Sequence, residues 1–346
     1  MSLSVALLSH ASGPHLDAYL LALAAAAEVS KVFYGDPSGS TFELAKSKLG
    51  DKLVSTHRDY AEATARAKLD TQSPAMALIA VEAVLAPPLI DAALEQGCHV
   101  MAEKPACISA KDFEPLVRKA EAKRLHLMLA LANRVTPAIQ KARSLVATGE
   151  LGRLYGIEIQ LVADQARLKN QAIRESWMFQ KGRGGGGNFT WLGIHWLDLA
   201  MYISHASINQ VTGFAGVVGG QPIDVEDSVA AALAFDNGTF GTMTCGYYLE
   251  SGYQDSIRLW GERGWLHFGR ELAAPLLWQT SGDKEVRKFT DSNEPQGYGP
   301  FVRACARASL GLEQAPVSPR ECLRLLNTIF AFYDAVKTGQ AQRVAF

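Results

Sequence analysis

The sequence predicts two domains of different class. The first is an α/β domain on a doubly wound parallel sheet, and the second an α+β domain with a mainly antiparallel open sheet. Three observations carry this. The chain has 346 residues, too many for one ordinary core. Its first third alternates short apolar runs with helical patterns, the rhythm of a parallel sheet covered on both faces. After about Asn133 the apolar runs follow one another with turn signals between them, as antiparallel strands do. The expected division is therefore residues 1–132 and 133–346.

Each element has its own signal. "LSVALLS" (Leu3–Ser9) reads as a buried strand and His15–Ala27 as a helix. Glu28–Asp36 is the next strand. Ser40–Gly50 is a helix with both ends marked, Ser40 and Glu43 as a capping box and Gly50 as the stop. Then come the strand Ala75–Val81, the helix Ala86–Gln96 stopped by Gly97, and the strand His99–Pro105. The helix Ser109–Lys123 and the strand Leu125–Leu131 complete the sheet. Ligands on such sheets bind beyond the strand C-termini, so Ser9–His15, Asp36, Val81–Ala83 and Glu103–Pro105 are where chemistry is expected.

The helix Pro137–Thr148, ended by Gly149, opens the second domain. Strands are expected over Leu154–Val162, Val211–Val218, Ser228–Phe235 and Thr239–Tyr248. Four more follow at Ser256–Trp260, Gly264–Phe268, Leu276–Gln279 and Val286–Phe289. "FDNGTFG" reads as a hairpin turn between two of them. Helices over Gly299–Leu310 and Pro319–Thr338 close the chain.

Composition narrows the function classes. Apolar residues make up 48%, charged residues 20%, and the net charge is −1. That balance is globular, and without a basic excess nucleic acid is not an expected partner. No apolar run approaches the ~18 residues of a membrane-spanning helix. No basic stretch precedes an apolar core near the N-terminus, so no signal peptide is expected. Five scattered cysteines without a C-x-x-C point to reduced thiols, a cytoplasmic location and no metal site.

One stretch stands out. "GRGGGGNFTWLGIHWLD" (182–198) sets a glycine run directly before an apolar segment carrying His195 and Asp198 at helical spacing. Glycines permit turns with φ > 0 and close backbone approach. Together with "AEKP" (Ala102–Pro105), "ALANRVTPAIQKARSLVATGELG", "VEDSVAAALAFDNGTFG" and "IRLWGERGWL", this stretch resembles the Gfo/Idh/MocA family of nicotinamide-dependent oxidoreductases. The resemblance spans nearly the whole chain.

The resemblance implies a Rossmann domain that binds NAD in preference to NADP, and hydride transfer to or from a sugar, polyol or related hydroxyl compound. It implies Lys104 and His195 as the catalytic pair, converging from different domains on one substrate hydroxyl. Desolvation and the positive nicotinamide would favour a neutral lysine there. The cofactor loop is Ser9, His10, Ala11, Ser12 and Gly13, with Val81, Glu103 and Lys104 also facing the dinucleotide. Asp36, at a strand end, can accept ribose hydroxyls and repel a 2′-phosphate; it can equally be a turn aspartate before Pro37. Substrate would meet Lys104, Trp177, Trp191, His195 and Arg174. Arg167 and Arg174 suit a carboxylated sugar or a solvated surface.

Three positions depart from the family pattern. The G-x-G-x-x-G fingerprint is replaced by "SHASGP" (Ser9–Pro14), with Ser9, Ala11 and Pro14 at the glycine positions and Pro14 expected in the first helical turn. The loop after Ala75–Val81 reads "VEAVLA", so Glu82 points away from phosphate or engages a ribose. Trp191 occupies the place of the usual acid, which suggests an apolar wall beside the substrate rather than a proton acceptor. Asp198 either orients His195 or is a buried structural acid. Two other functions fit the same residues: redox-assisted glycoside cleavage by bound NAD, and a non-catalytic nucleotide- or sugar-binding relative. A homodimer or homotetramer is expected, because helices on one face of an antiparallel sheet leave the other to be covered.

Overall fold

The computed structural model describes residues 2–69, 74–290 and 297–345. The chain forms two compact units, Met1–Ala132 with Pro295–Leu323, and Asn133–Glu294 with Arg324–Phe346. Among the described residues no helix is long and apolar enough to cross a membrane.

The first unit alternates β1 (Leu3–Ser9), α1 (Leu16–Ala25), β2 (Val29–Gly35), α2 (Phe42–Leu49), β3 (Leu53–His57) and α3 (Tyr60–Leu69). It continues with β4 (Ala75–Ala80), α4 (Ala86–Glu95), β5 (His99–Ala102), α5 (Ala110–Lys123) and β6 (Leu127–Leu129). The six strands lie in the order β3-β2-β1-β4-β5-β6, all parallel. The order reverses between β1 and β4, and every residue of both strands is buried, as helices on both faces require. Side-chain chemistry at the ends of β1, β2, β4 and β5 therefore gathers on one edge of the sheet.

Local signals hold at most helix ends. Ser109 caps α5 by accepting from the Lys111 amide, and Gly50 and Gly97 take positive φ where α2 and α4 stop. Two expectations are corrected, and one pair of elements is added. Helix α1 begins at Leu16 behind a left-handed His15, so Pro14 lies outside its first turn. The N-cap of α2 is Thr41, without a side-chain cap, because its hydroxyl donates to Asp36 instead. The pair β3–α3 carried no expectation at all. β3 is an edge strand that alternates half-buried and exposed residues until the buried His57, so its sequence lacks the apolar run that marks the central strands.

The second unit holds α6 (Pro137–Ala147), β7 (Leu154–Asp164), the short helices α7 (Ala166–Lys169), α8 (Gln171–Arg174) and α9 (Lys181–Gly184), and α10 (Ile194–Ser204). The strands β8 (Ile208–Gly216), β9 (Ser228–Phe235), β10 (Phe240–Leu249), β11 (Tyr253–Gly261), β12 (Gly264–Gly269), β13 (Leu276–Thr280) and β14 (Arg287–Phe289) follow. They join in the order β14-β13-β12-β11-β7-β10-β9-β8-β15, where β15 is Gln342–Arg343. Only β7 and β10 pair in parallel. Helices α6 and α10 pack on each other and on this sheet. The opposite parity leaves Phe214, Phe240 and Trp260 exposed, and Tyr155 is exposed at the register shift between Leu154 and Gly156.

Helix α11 (Tyr298–Ser309) belongs to the first unit, whereas the expected boundary placed it with the second. Its buried Phe301, Val302 and Cys305 accompany packing on α1. Arg303 and Arg307 both donate to Glu28, and the Tyr298 ring meets Tyr19 edge-on at 5.1 Å. Helix α12 (Pro319–Thr338) ends the run of helices. An apolar stripe shows that a helix is buried, but not which partner buries it.

Candidate functional site

At the end of β1 the backbone turns tightly, with the Gly13 amide donating to the His10 carbonyl at 2.8 Å. The Ser9 hydroxyl donates to the Ala80 carbonyl at the end of β4 (2.9 Å). A Cβ on Gly13 would overlap both Ser9 Oγ and the Ala80 oxygen. The single glycine of "SHASGP" thus performs one fingerprint task, close approach of the loop to the strand ends. Ala11 and Ser12 face solvent, and Ser12 Oγ sits 3.0 Å from His10 Nδ1. No bulky side chain fills the space above the turn from these two positions. Val81 and Glu82, just past β4, are buried, and the Glu82 carbonyl accepts from the Leu85 amide.

At the end of β5, Glu103 and Lys104 are each 2% exposed. Lys104 Nζ lies 3.8 Å from Glu103 Oε1, and the Lys104 amide donates to the same oxygen at 3.1 Å. The Tyr19 hydroxyl donates to Glu103 Oε2. Burial and the neighbouring Glu103 charge push the Tyr19 phenol well above its ordinary value, so it stays a donor. Glu103 therefore faces inward, as the anchor of Lys104 and Tyr19. Tyr19 had no signal in the sequence, being one apolar position among several on α1. The Lys104–Pro105 peptide is cis.

Asp36 is fully buried. Its Oδ1 accepts from the Ser38 amide (3.0 Å) and hydroxyl (2.8 Å), and its Oδ2 from the Thr41 amide (3.0 Å) and hydroxyl (2.6 Å). Burial alone would raise this carboxyl, but the bonds from Thr41 and Ser38 outweigh it and hold it below the usual value. Of the two readings open in the sequence, the geometry supports the turn aspartate. The four acceptor sites of a carboxylate go to its own turn, leaving none for a ribose diol.

In the second unit the glycine run is clamped. Helix α9 ends with Gly185 at φ 83°. The Glu226 carboxylate then accepts from the Gly187 amide (2.9 Å), the Phe189 amide (3.0 Å) and the Tyr333 hydroxyl (2.9 Å). Tyr333 also pairs with the Thr190 hydroxyl at 2.6 Å. A Cβ on Gly187 would overlap the Glu226 backbone, and one on Gly186 the Tyr333 hydroxyl. The glycines serve close approach, not looseness. Burial raises the Glu226 carboxyl above its ordinary value, although the bonds it accepts pull the other way. Glu226 lay within a quoted motif without being singled out, and Tyr333, 107 residues further on, had no signal.

The clamp leads through a π-helical turn, Phe189–Gly193, into α10. His195 is the second residue of that helix and half-buried. Trp191 is buried and meets the buried Trp177 edge to face, with centroids 5.1 Å apart. These two indoles form one aromatic unit. Arg174 is directed to its own backbone, donating to the Leu168 carbonyl at 2.9 Å. Arg167 lies 5.8 Å from the centre of the Tyr253 ring.

Asp198 takes the structural reading. Arg134 donates Nε to Oδ2 (2.8 Å) and Nη2 to Oδ1 (2.6 Å), and both side chains are buried. Such bidentate pairing engages both carboxylate oxygens.

Family comparison agrees with this architecture. Residues 23–131 match the model "Oxidoreductase family, NAD-binding Rossmann fold", and residues 139–267 match the "GFO/IDH/MocA C-terminal domain". The chain belongs to the Gfo/Idh/MocA oxidoreductases. Among curated relatives, levoglucosan dehydrogenase of Pseudarthrobacter phenanthrenivorans is 26% identical over 236 residues, 60% of each chain. Myo-inositol dehydrogenase Hyg17 of Streptomyces leeuwenhoekii is 26% identical over 196 residues, 56% of this chain and 57% of that protein. Both matches thus span under two thirds of the relatives' own length. A solved levoglucosan dehydrogenase, in complex with NADH and levoglucosan, superposes over 100% of both chains with a TM-score of 0.86 at 19% identity, a likeness of fold.

Two outcomes follow from these contacts. Replacing Asp198 with Ala should cost about 3 kcal/mol or more in urea denaturation, since it leaves the buried Arg134 without its carboxylate. The double change Asp198→Leu with Arg134→Met should cost less than the single one; equal losses would mean that the pair does not act as a unit. In the parent protein the Gly187 and Phe189 amides should exchange hydrogen as slowly as the core of α10, and quickly in Glu226→Ala. Fast exchange in the parent would show that the run is not clamped.

Proposed function

We propose that this chain is an NAD(P)-dependent dehydrogenase acting on a CH–OH group of a sugar, polyol or related compound. The observation that carries the reading is the buried Glu103–Lys104 pair at the C-terminal end of β5, the edge where doubly wound sheets bind ligands. The turn at Ser9–Gly13 fits a dinucleotide, because Gly13 draws the loop against the strand ends and Ala11 and Ser12 leave its outer side open. His10 and Val81 complete that cofactor-facing set. Bound NAD supplies the hydride acceptor, or NADH the donor.

Lys104 holds the reacting hydroxyl and exchanges its proton. Glu103 fixes the ammonium by a contact shorter than 4 Å. His195 is assigned to the substrate as a second acid–base group, carried on a helix whose start is set by the glycine clamp. Trp177 and Trp191 offer an aromatic wall on which a sugar face stacks, so Trp191 contributes contact rather than ionisation. Arg174 is assigned to the rim of the substrate site. Support for the substrate class comes from the names of the relatives, levoglucosan and myo-inositol dehydrogenases.

We also place the protein in the cytoplasm as a homodimer or homotetramer, with the second unit supplying the interface and the substrate residues other than Lys104. All five cysteines are buried free thiols, compatible with a reducing compartment. The exposed Phe214, Phe240 and Trp260, on the parity opposite the buried residues of their strands, are apolar surface that a second copy would cover.

Activity and assembly test these readings separately. Lys104→Ala and His195→Ala should each lower kcat by about 10²-fold or more while NAD still binds. Trp191→Asp should raise KM more than it lowers kcat. Steady NADH formation from a polyol marks a dehydrogenase; cleavage of a glycoside without net NADH would replace that reading. Light scattering at micromolar concentration should give a dimer or tetramer, and Phe214→Glu with Phe240→Glu should dissociate it. A monomeric parent protein would remove the interface.

A further inference from the structure

The buried Glu103 carboxylate is divided between two elements. Its Oε1 accepts from the Lys104 amide at 3.1 Å and lies 3.8 Å from the Lys104 ammonium nitrogen. Its Oε2 accepts from the hydroxyl of Tyr19, which α1 carries and which is fully buried. The 3.8 Å separation exceeds the length of a charge-assisted hydrogen bond, about 2.8 Å. The ammonium and the carboxylate therefore attract each other without direct contact, while the phenol holds the other oxygen.

The titratable groups around this strand end come from several elements. Tyr298, the first residue of α11, meets Tyr19 edge-on at 5.1 Å and His15 at 4.7 Å. Burial and the Glu103 charge push both phenols upward, so both stay protonated and neutral at ordinary pH. Cys107, three residues past Lys104, is pushed upward by burial and by Asp112. Glu82, past the end of β4, is buried and its charge acts on Tyr60. Arg134, past β6, is bound by Asp198.

We propose that Tyr19 is a positioning residue for Lys104: by holding Glu103 Oε2, its hydroxyl keeps the carboxylate from closing on the ammonium and leaves the lysine able to give up its proton. The inference rests on the reading of Lys104 as the acid–base group of a dehydrogenase. A donor to a carboxylate draws off part of its charge, and in a buried site little solvent screens the rest. Without the hydroxyl, Oε2 becomes a buried acceptor in need of a donor, and the Lys104 ammonium is within reach. The ion pair would tighten and the lysine would hold its proton more strongly. Oxidation of an alcohol needs a lysine that can accept the hydroxyl proton as the hydride leaves, so a lysine locked as the ammonium is slower near neutral pH. Tyr19 acts through Glu103, without itself contacting the reacting atoms.

Lysine labelled with carbon-13 at Cε reports each ammonium by its NMR shift, and the signal lost in Lys104→Ala is that of Lys104. In the purified protein its titration midpoint should lie about 0.5–1 unit higher in Tyr19→Phe, which keeps the ring, than in the parent. Glu103→Gln should lower the midpoint, and Tyr19→Phe added to Glu103→Gln should move it no further, because the hydroxyl acts through that charge. With NAD and a polyol that the parent oxidises, the rising limb of kcat against pH should move by the same interval. The rate would then fall about 3–10-fold at neutral pH and return to within about 2-fold of the parent on the alkaline plateau. An unmoved midpoint in Tyr19→Phe, even with lowered stability, overturns the proposal, as does an equal shift on the Glu103→Gln background. A moved midpoint with Lys104→Ala fully active overturns the acid–base reading of Lys104 instead.

Discussion

The second unit is organised around one buried carboxylate. Glu226 accepts from two backbone amides of the glycine run and from the Tyr333 hydroxyl, while its own carbonyl accepts from the Asn188 amide. A carboxylate in such a place is costly unless its lone pairs are filled. The glycines make filling possible, because any side chain at Gly187 would hold the backbone away from Glu226. The consequences pass along the chain. The π-helical turn, the Trp177–Trp191 contact and the position of His195 at the start of α10 all follow a segment whose path this carboxylate sets.

The first unit treats its charges in the same way. Asp36 and Glu103 both stand at strand ends, where the fold exposes unused backbone and invites ligands. Each is instead turned inward and given local donors: Ser38 and Thr41 for Asp36, Tyr19 and Lys104 for Glu103. Arg134 and Asp198 repeat the arrangement in the second unit. Buried carboxylates here consistently organise neighbouring residues. The groups proposed for ligands are of another kind, namely small loop residues, indoles, a histidine and a lysine.

This division bears on how a family pattern is carried over. The Ser9–Gly13 loop has none of the three fingerprint glycines in place, yet carries Gly13 one position away, where close contact with Ser9 and Ala80 demands a glycine. Trp191 replaces an acid and packs against Trp177, so the change alters contact area rather than leaving a vacant polar position. A motif position fixes where a residue sits along an element. Its chemical task depends on which neighbours have already satisfied it.

Period and turn chemistry in the sequence determined the alternating first unit, the antiparallel second one, the glycine stops of α2 and α4, and the position of Lys104 at a strand end and His195 at a helix start. These are properties of short stretches, where side-chain spacing and backbone freedom act within a few residues. Edge strand β3 escaped because a half-exposed strand has no apolar run. Only the tertiary structure decided that Asp36 is spent on its own turn, that Asp198 pairs with Arg134, that Tyr19 holds Glu103, that α11 packs on α1, and that Tyr333 completes the Glu226 clamp. Each of these joins a polar or apolar group to a partner that its own residue type does not name. Hydrogen bonding and burial are saturable and blind to distance along the chain, so which partner wins is settled only when the whole chain has packed.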